Sequence, residues 1–420
     1  MIFLHKPYIK EIKNKSRLCF DIDIDKDKKQ VWFEVDKEYG KYLCDDRIDA
    51  ILVGLLSYAM RNNHSFESDS YITEEIKYKL TNYLIPILSK YDSKLSNINI
   101  NIKTKKAVKT AGAVGTGCSC GVDSIHAYLK HYKHQDRQFK LTHLCINNVG
   151  AFNETYKEEG IDKVRNYRVK KSIEFAKEVK LPLIITNSNF LQEIYQKHYY
   201  THTYSSSFAI LCLQKLWGVY YYGSSGVDIS KFNVVDTAEH DCESYEILSL
   251  DCFSTNNLKI YSEGATETRL EKTKYIYKDK LTKKYLHVCV KKKNNCNVCP
   301  KCMRTLLSLY ALDADMKSYK KIFDIEYFNK HKEDYFEWIQ KEHLWNTDTM
   351  NEPTYELLMK KDEFKKYVLS FNKNNKIDKE IDYKKEYEKI LNSKTFKLGD
   401  KLLKIPRKVK SIVIKRRDSK

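Results

Sequence analysis

The sequence has no long hydrophobic run. No stretch approaches the 18 or more apolar residues that indicate a membrane-spanning helix, and the N-terminus carries only the short apolar segment Ile2–Leu4. A secretion signal needs a longer apolar region than this one. We therefore expect neither a cleaved signal nor a spanning helix, and we expect a cytoplasmic protein.

Proline, glycine and cysteine are all sparse, with 6, 13 and 12 residues in a chain of 420. Twelve cysteines are too few for a disulfide-built scaffold of this length, so we expect a reducing compartment, where clustered cysteines indicate a metal site. Hydrophobic residues make up 42% of the chain, which is enough to bury a sizeable core. The length predicts two or three domains.

Basic residues outnumber acidic ones by 75 to 56, which gives a formal charge of +19. Such an excess raises nucleic acid or an anionic surface as a partner. The chain is rich in lysine throughout, however, so charge alone identifies no partner. Nucleic acid stays open but is not favoured over a small-molecule substrate, and the sequence does not indicate an oligomeric state.

Residues 1–106 are predicted to form a self-contained N-terminal α+β module. Alternating apolar residues at 20–24 and 31–35 predict a hairpin of two strands. Apolar residues at helical spacing over 48–59 predict a helix capped by Asp45 or Asp46. A second helix is predicted from Thr73 to about Lys90, with Pro86 kinking or ending it.

Residues 107–316 change to short apolar strands that alternate with helical segments. The predicted strands are 111–117, 141–147, 183–186 and 216–222, and the predicted helices are 124–132, 162–179 and 206–215. This alternation predicts an α/β fold with a doubly wound, mostly parallel sheet, which binds ligands at the carboxyl ends of its strands. Residues 317–392 are predicted as a helical appendage and 393–420 as a basic amphipathic tail.

The segment Cys118-Ser119-Cys120-Gly121-Val122-Asp123-Ser124 follows a predicted strand and opens a predicted helix. A site for polyphosphate needs backbone N–H groups, hydroxyl donors, a helix N-terminus and a turn without bulky side chains. The segment supplies these features, and its aspartate can cap the helix or help to hold Mg²⁺. An ordinary strand-to-helix turn is the alternative interpretation.

This segment resembles the Ser-Gly-Gly-x-Asp-Ser loop of the PP-loop ATP pyrophosphatases, and residues 107–312 are similar in motif order to the 7-cyano-7-deazaguanine synthases. The resemblance implies a HUP-like (adenine nucleotide alpha-hydrolase) fold and AMP-forming, ligase-type chemistry with ATP and Mg²⁺. A carboxylate or amide-type substrate would be adenylated and then attacked by a nitrogen nucleophile. The sequence departs from the family at Cys120, where a glycine is usual; a Cβ there is costly if that position needs a positive φ.

The resemblance also implies roles for individual residues. Asp123, Arg269 and Lys272 would be catalytic, the last two by neutralising the leaving pyrophosphate, and Asp228 would contact the substrate. The nucleotide would be bound by Ser119, Cys120, Gly121, Val122, Ser124, Ile146, Asn147, Gly223, Ser224 and Ser225.

Four cysteines form the most specific motif in the chain: Cys289, Cys296, Cys299 and Cys302. Four thiolates at this spacing match the tetrahedral ligand set that Zn²⁺ prefers. An iron–sulfur cluster is the competing interpretation. The deazaguanine synthases carry a similar cluster at the corresponding place, which implies a structural zinc here. No histidine pair shows metal-binding spacing beside a carboxylate.

The last 24 residues mix cations with aliphatic side chains. The segment Ser393-Lys394-Thr395-Phe396-Lys397-Leu398-Gly399, followed by Pro406-Arg407-Lys408, resembles the tail of many bacterial surface-polysaccharide glycosyltransferases. Such a segment suits peripheral contact with an anionic membrane, and the resemblance points to a glycan or another small-molecule precursor as substrate. Two other functions stay open: sulfur transfer to RNA with an iron–sulfur cluster, and nucleotide binding without catalysis.

Overall fold

The computed structural model of the chain describes residues 1–150, 161–194, 198–224, 229–235, 242–346 and 348–375. It divides into two compact units, Met1–Leu358 and Met359–Lys420. Within its described part, the second unit is the single helix α15 (Asp362–Asn374), which has acidic residues in its first turn and a lysine in its last turn. The predicted tail 393–420 lies outside the described residues.

The described residues of the first unit contain eleven strands and fourteen α-helices. The strands are β1 (Ile2–Leu4), β2 (Tyr8–Ile12), β3 (Lys15–Ile24), β4 (Asp27–Asp36), β5 (Phe66–Thr73), β6 (Ile100–Lys105), β7 (Ala113–Gly117), β8 (His143–Asn148), β9 (Leu183–Ser188), β10 (Trp217–Gly223) and β11 (Lys259–Glu263). The helices are α1 (Asp49–Arg61), α2 (Glu74–Lys79), α3 (Ile85–Tyr91), α4 (Val122–His131), α5 (Ile161–Val179), α6 (Phe190–Ile194), α7 (His198–Cys212), α8 (Glu246–Phe253), α9 (Arg269–Ile276), α10 (Lys280–Tyr285), α11 (Pro300–Ala311), α12 (Ile325–Lys330), α13 (Lys332–Trp345) and α14 (Glu352–Leu358).

These strands form one sheet in the order β11-β10-β7-β8-β9-β4-β3-β1-β5-β6, with β2 paired to β3. Strands β11, β10, β7, β8 and β9 are mutually parallel. The chain runs from β7 outward to β8 and β9, then returns to place β10 on the other side of β7. The fold is therefore α/β with a large, mostly parallel, open sheet, as the sequence predicts, and its strand order reverses at β7.

The N-terminal strands belong to this same sheet rather than to a sheet of their own. Strand β4 pairs antiparallel with β9, and Asn189 reinforces the junction by accepting a bond from the Trp32 amide at 2.7 Å and donating to the Gln30 carbonyl at 2.9 Å. Helix α1 also packs on α7 of the central region. The N-terminal segment thus shares a sheet and a core with residues 107–316. This differs from the expectation of a self-contained module.

One of two local expectations for the N-terminal segment needs correction. Helix α1 begins after Ile48, which provides no side-chain cap, so neither Asp45 nor Asp46 caps the helix. Instead, the fully buried Asp49 accepts bonds from the Thr73 amide and hydroxyl at 2.7 and 2.5 Å. The predicted helix from Thr73 to about Lys90 is confirmed: α2, a π-helical turn over Leu80–Leu84 and α3 follow one another without a break, and Pro86 lies just inside α3.

Candidate functional site

A cleft of about 270 Å³ opens at the carboxyl ends of β7, β8 and β10. This is the point where the strand order reverses, which is where open α/β sheets bind ligands. The cleft is lined by Thr116, Gly117, Cys118, Ser119, Asp123, Ser124, Cys145, Ile146, Asn147, Arg168, Val169, Ser172, Ser206, Ile210, Tyr220, Tyr221, Tyr222 and Gly223. Six residues that the sequence analysis selected from three separate segments therefore line one cavity: Ser119, Asp123, Ser124, Ile146, Asn147 and Gly223.

The loop of residues 118–124 links β7 to α4. Its Cys120 has φ +57°, in the left-handed region that favours glycine. Gly121 has an extended conformation and is the N-cap residue of α4, and the buried Val122 is the first residue of that helix. The Ser119 hydroxyl lies at the cleft 3.2 Å from that of Ser124. The loop therefore has a glycine-type turn, two hydroxyls and a ten-residue helix N-terminus at one point.

Asp123 is joined to both predicted catalytic cations. Both of its carboxylate oxygens accept bonds from Arg269 at 2.8 Å, and the Lys272 ammonium lies 3.4 Å from one of them. Burial opposes ionisation of the carboxyl group, but the charges of Arg269 and Lys272 outweigh it and lower the pKa of Asp123. Three residues from α4 and α9 thus form one charged cluster beside the cleft.

Lys272 is fully buried, and backbone groups of Ser224 and Gly264 lie close to its side chain. Its ammonium donates to the Ser224 carbonyl at 2.9 Å. Gly264 has φ +78°, and a Cβ there would stand 2.6 Å from the lysine Cε, so only glycine fits. Gly223 lines the cleft, whereas the predicted ligands Ser225 and Asp228 lie outside the described residues.

The carboxyl end of β8 forms another wall of the cleft. The side-chain amide of Asn147 donates to the Tyr220 hydroxyl at 3.3 Å and its carbonyl accepts from Thr186 at 3.2 Å. Ile146 precedes it on the same strand and is partly exposed toward the cavity. This wall therefore combines the apolar side chain of Ile146 with the hydrogen-bonded amide of Asn147.

The four predicted metal-binding cysteines come together. Their sulfur atoms all lie within 4.8 Å of one another, and those of Cys289 and Cys299 are 4.0 Å apart. Thiolates bound to Zn²⁺ at about 2.3 Å in a tetrahedron stand roughly 3.8 Å apart. The amides of Lys291 and Lys292 donate to the Cys289 sulfur at 3.4 and 3.2 Å. The cluster can therefore hold a metal ion such as zinc with little rearrangement.

The cysteine cluster is tied directly to the 118–124 loop through His287. Its backbone N–H donates to the Cys120 carbonyl at 2.8 Å. Arg168 of α5 donates to the Ser119 carbonyl at 2.6 Å and also to Nδ1 of His287, whose Nε2 donates to the Lys293 carbonyl at 2.7 Å. Burial and the charge of Arg168 lower the pKa of His287 to about 3, so the ring is neutral.

The structure adds site residues that the sequence did not single out. Ser172 donates to the Cys118 carbonyl at 2.5 Å and lines the cleft with Arg168. Lys301 lies between Cys299 and Cys302 in the sequence and is exposed to solvent. Desolvation by the surrounding protein and the charge of Arg269 lower the pKa of Lys301. Arg304 is bonded to Asp348 and to Asn351. No sequence pattern marks Arg168 or Ser172, because they act on the loop from a distant helix.

A single histidine forms a group with two glutamates that the sequence analysis did not predict. His126, Glu263 and Glu267 offer three potential ligand atoms within 4.8 Å of one another. A spacing rule cannot find this group, because the histidine is on α4 and the glutamates are at and beyond the end of β11.

The chain has no significant match to a protein-family model, to a curated protein or to a solved structure. Among the described residues, no helix is both long enough and apolar enough to cross a bilayer.

Proposed function

We propose that the chain is an ATP-dependent enzyme of the PP-loop type with a HUP-like fold, which activates a carboxylate or amide oxygen as an adenylate for attack by a nitrogen nucleophile. The observation that carries this proposal is the convergence of the 118–124 loop with Asp123, Arg269 and Lys272 at the point where the strand order reverses. Loop, helix N-terminus and cations together are what a polyphosphate requires.

The loop residues have the chemistry to hold the phosphates of ATP. The hydroxyls of Ser119 and Ser124 lie 3.2 Å apart and can each donate to a phosphate oxygen. The first N–H groups of α4 lack acceptors within the helix and carry its positive end. The carboxyl end of β8, where Ile146 offers an apolar surface and Asn147 an amide, suits the adenine base.

Arg269 and Lys272 would stabilise the charge that develops on pyrophosphate. Asp123 fixes the guanidinium of Arg269 through two 2.8 Å bonds, and burial immobilises Lys272, so both cations are oriented in advance. Such preorganised charge is a large part of catalysis in phosphoryl and nucleotidyl chemistry. Because Asp123 already binds two cations, Mg²⁺ would be held mainly by the phosphates and by water, as is usual for this ion.

The four-cysteine cluster fits Zn²⁺ in a structural role. Four thiolates would fill its tetrahedral shell and leave no open position for substrate. Since His287 connects this segment to the carbonyl of Cys120, the metal would hold the cysteine segment against the 118–124 loop. The substrate class suggested by the sequence, a glycan or other small-molecule precursor, and a membrane contact through the tail remain parts of the proposal.

The proposal is tested by binding of Mg-ATP to the double variant Ser119→Ala/Ser124→Ala. A hydrogen bond to a charged group contributes about 1.5 to 3 kcal/mol, so we expect the affinity to fall by at least about tenfold. The control is Ser93→Ala, which removes an exposed hydroxyl from the segment between α3 and β6. Calorimetric titration that gave equal affinities for the double variant and the wild type would refute the proposed site.

Sulfur transfer is a second candidate, because two cysteines lie in the loop itself. Cys118 lines the cleft, and a hydrogen bond from Cys118 lowers the pKa of the Cys120 thiol against the effect of burial. A lowered pKa favours the thiolate, which is the nucleophilic form of cysteine that sulfur transfer uses. In this case Cys120 would be essential, whereas in the ligase it would only occupy a glycine position.

A further inference from the structure

A second group of potential metal ligands lies behind Lys272, away from the cysteine cluster. His126 of α4 is fully buried, Glu263 ends β11, and Glu267 precedes α9. The Nε2 atom of His126 is 3.1 Å from Glu267 Oε2, and its Nδ1 atom is 3.6 Å from Glu263 Oε1. Neither contact is aligned as a hydrogen bond, although both join groups that form such bonds readily.

Three atoms of this group are buried without a hydrogen bond in the described structure: both ring nitrogens of His126 and Oε1 of Glu263. A buried polar atom left unsatisfied costs about 1 to 3 kcal/mol. Two of these atoms belong to a side chain with 1% of its surface exposed, and the third to one with 8% exposed. Three unsatisfied polar atoms in one place indicate that this group binds a further partner, which would satisfy them.

We propose that His126, Glu263 and Glu267 bind a divalent transition-metal ion such as Zn²⁺ or Mn²⁺. One imidazole and two carboxylates form a donor set that these ions accept. Ligand atoms bound at about 2.1 Å to a common ion stand roughly 3 to 3.5 Å apart. The 3.1 Å between His126 and Glu267 already has this value, and all three ligand atoms lie within 4.8 Å.

Neighbouring residues support the ligands in the way that outer residues of metal sites do. Nε2 of His131 lies 2.6 Å from the other Glu263 oxygen, and a hydrogen bond there fixes the carboxylate and leaves Oε1 for the ion. Lys130 lies 3.3 Å from Glu263 and 3.2 Å from Glu267. Its side chain is 35% exposed, so it can turn outward when an ion takes its place between the two carboxylates.

The location gives the ion a structural link to the charged cluster at the cleft. A Cβ on Gly264 would stand 3.4 Å from His126 Nδ1 and 2.6 Å from Lys272 Cε, so the histidine and the lysine pack against the same backbone turn. An ion on His126 and the glutamates would fix this turn and with it the position of Lys272. The metal site itself does not depend on the nucleotide chemistry proposed above.

Titration of the full chain with Co²⁺ tests the proposal, because optical spectra separate the two kinds of site. Thiolate ligation gives intense charge-transfer bands, whereas a histidine and carboxylate site gives only weak visible bands. We expect the wild type to bind one ion of the second kind in addition to any ion at the cysteines. Glu267→Gln should weaken the binding of that ion at least about tenfold. Lys130→Gln, which removes the competing cation, should strengthen its binding.

The matched control is Glu174→Gln, which removes one partly exposed carboxylate from α5, outside the cluster. This variant should bind the second ion as tightly as the wild type does. The proposal is overturned if the wild type shows only cysteine-type binding, or if Glu267→Gln binds the second ion as tightly as the wild type does. Binding by Lys130→Gln alone would also overturn it, because Lys130 would then be the native cation of the site.

Discussion

At the scale of single residues, Cys120 adopts a backbone conformation that disfavours side chains with a Cβ. Its φ of +57° costs a non-glycine residue about 1 kcal/mol, yet its side chain is 98% buried and packs in the core cluster around Val114 and Tyr128. The departure from the PP-loop pattern thus changes the side chain and retains a turn of the glycine type. Two functions make opposite demands on this residue.

Cys120→Gly separates the ligase from the sulfur transferase. Glycine relieves the strain at φ +57° while removing a small buried side chain, so we expect the urea midpoint to change little and Mg-ATP affinity to stay within about threefold. The measurement is a calorimetric titration with Mg-ATP together with an assay for sulfur transfer to RNA. Loss of a sulfur-transfer activity in the variant would contradict the ligase and favour the alternative.

Asp123→Asn should change how stability depends on pH. The lowered pKa means that ionised Asp123 stabilises the folded chain above the unfolded value of about 3.9, and that this stabilisation is lost as the pH falls through the lower folded pKa. The substitution leaves Arg269 and Lys272 without their counter-charge, so we expect a loss of about 3 kcal/mol at pH 7 that shrinks below about pH 4.

Urea unfolding at pH 7 and pH 3.5 measures this difference. Asp315→Asn, at an exposed carboxylate before a short 3-10 turn, is the control and should behave like the wild type at both values. An Asp123→Asn defect that is equally large at pH 3.5 would show that the residue stabilises the fold by a means other than its charge.

Among the structural elements, the cysteine segment (residues 287–302, from the end of α10 into the first turn of α11) supports the loop between β7 and α4. The His287 amide on the Cys120 carbonyl and the Arg168 contacts on Ser119 and His287 connect the two. Metal binding to four cysteines contributes folding free energy directly. The element that would carry the metal is therefore also the element that supports the proposed phosphate site.

Removal of the metal should lower both the melting temperature and the Mg-ATP affinity. We expect a chelator to cause both changes and added Zn²⁺ to reverse them, and Cys302→Ser to cause them permanently. The comparison variant is Cys19→Ser, at a cysteine buried in β3 away from the cluster, which should keep its metal content. If the chelated protein still bound Mg-ATP normally, the loop would not depend on the metal-bound segment, and the account would be contradicted.

The elements differ in how far the sequence reveals them. Strands β3 and β4 and the parallel strands β7 to β10 were predictable, because their apolar residues alternate or cluster between helical segments. Strand β11 was not, since Lys259–Glu263 has a single fully buried apolar residue, Ile260, and no periodicity. The 118–124 loop and the four cysteines were visible because their residues are adjacent in sequence. The His126 group was not, because its members come from separate elements.

At the scale of the whole first unit, the β4 and β9 junction joins the N-terminal strands to the sheet that bears the cleft. Only two residue pairs form the ladder there, Phe33 with Ser188 and Glu34 with Asn187. This pairing links segments far apart in the chain, so local patterns could not predict it. A core that continues across the junction, including Phe20, Phe33 and Phe208, joins the two parts further.

Asn189→Ala tests how much this junction contributes to the stability of the unit. The substitution removes the acceptor of the Trp32 amide and the donor to the Gln30 carbonyl, so we expect a loss of about 1 to 3 kcal/mol in unfolding free energy. Denaturant unfolding measures it, with Asn62→Ala as control, since Asn62 donates to a carbonyl at the exposed end of α1. Equal stabilities for the two variants would mean that the junction contributes little.

Hydrogen–deuterium exchange with and without Mg-ATP tests the central claim most directly, because it locates the nucleotide on the chain. The account predicts slower exchange in the loop and first turn of α4, over 118–125, and at the carboxyl ends of β8 and β10, which line the same cleft. Protection confined to other segments, or none at saturating Mg-ATP, would contradict the proposal that this cleft is a nucleotide site.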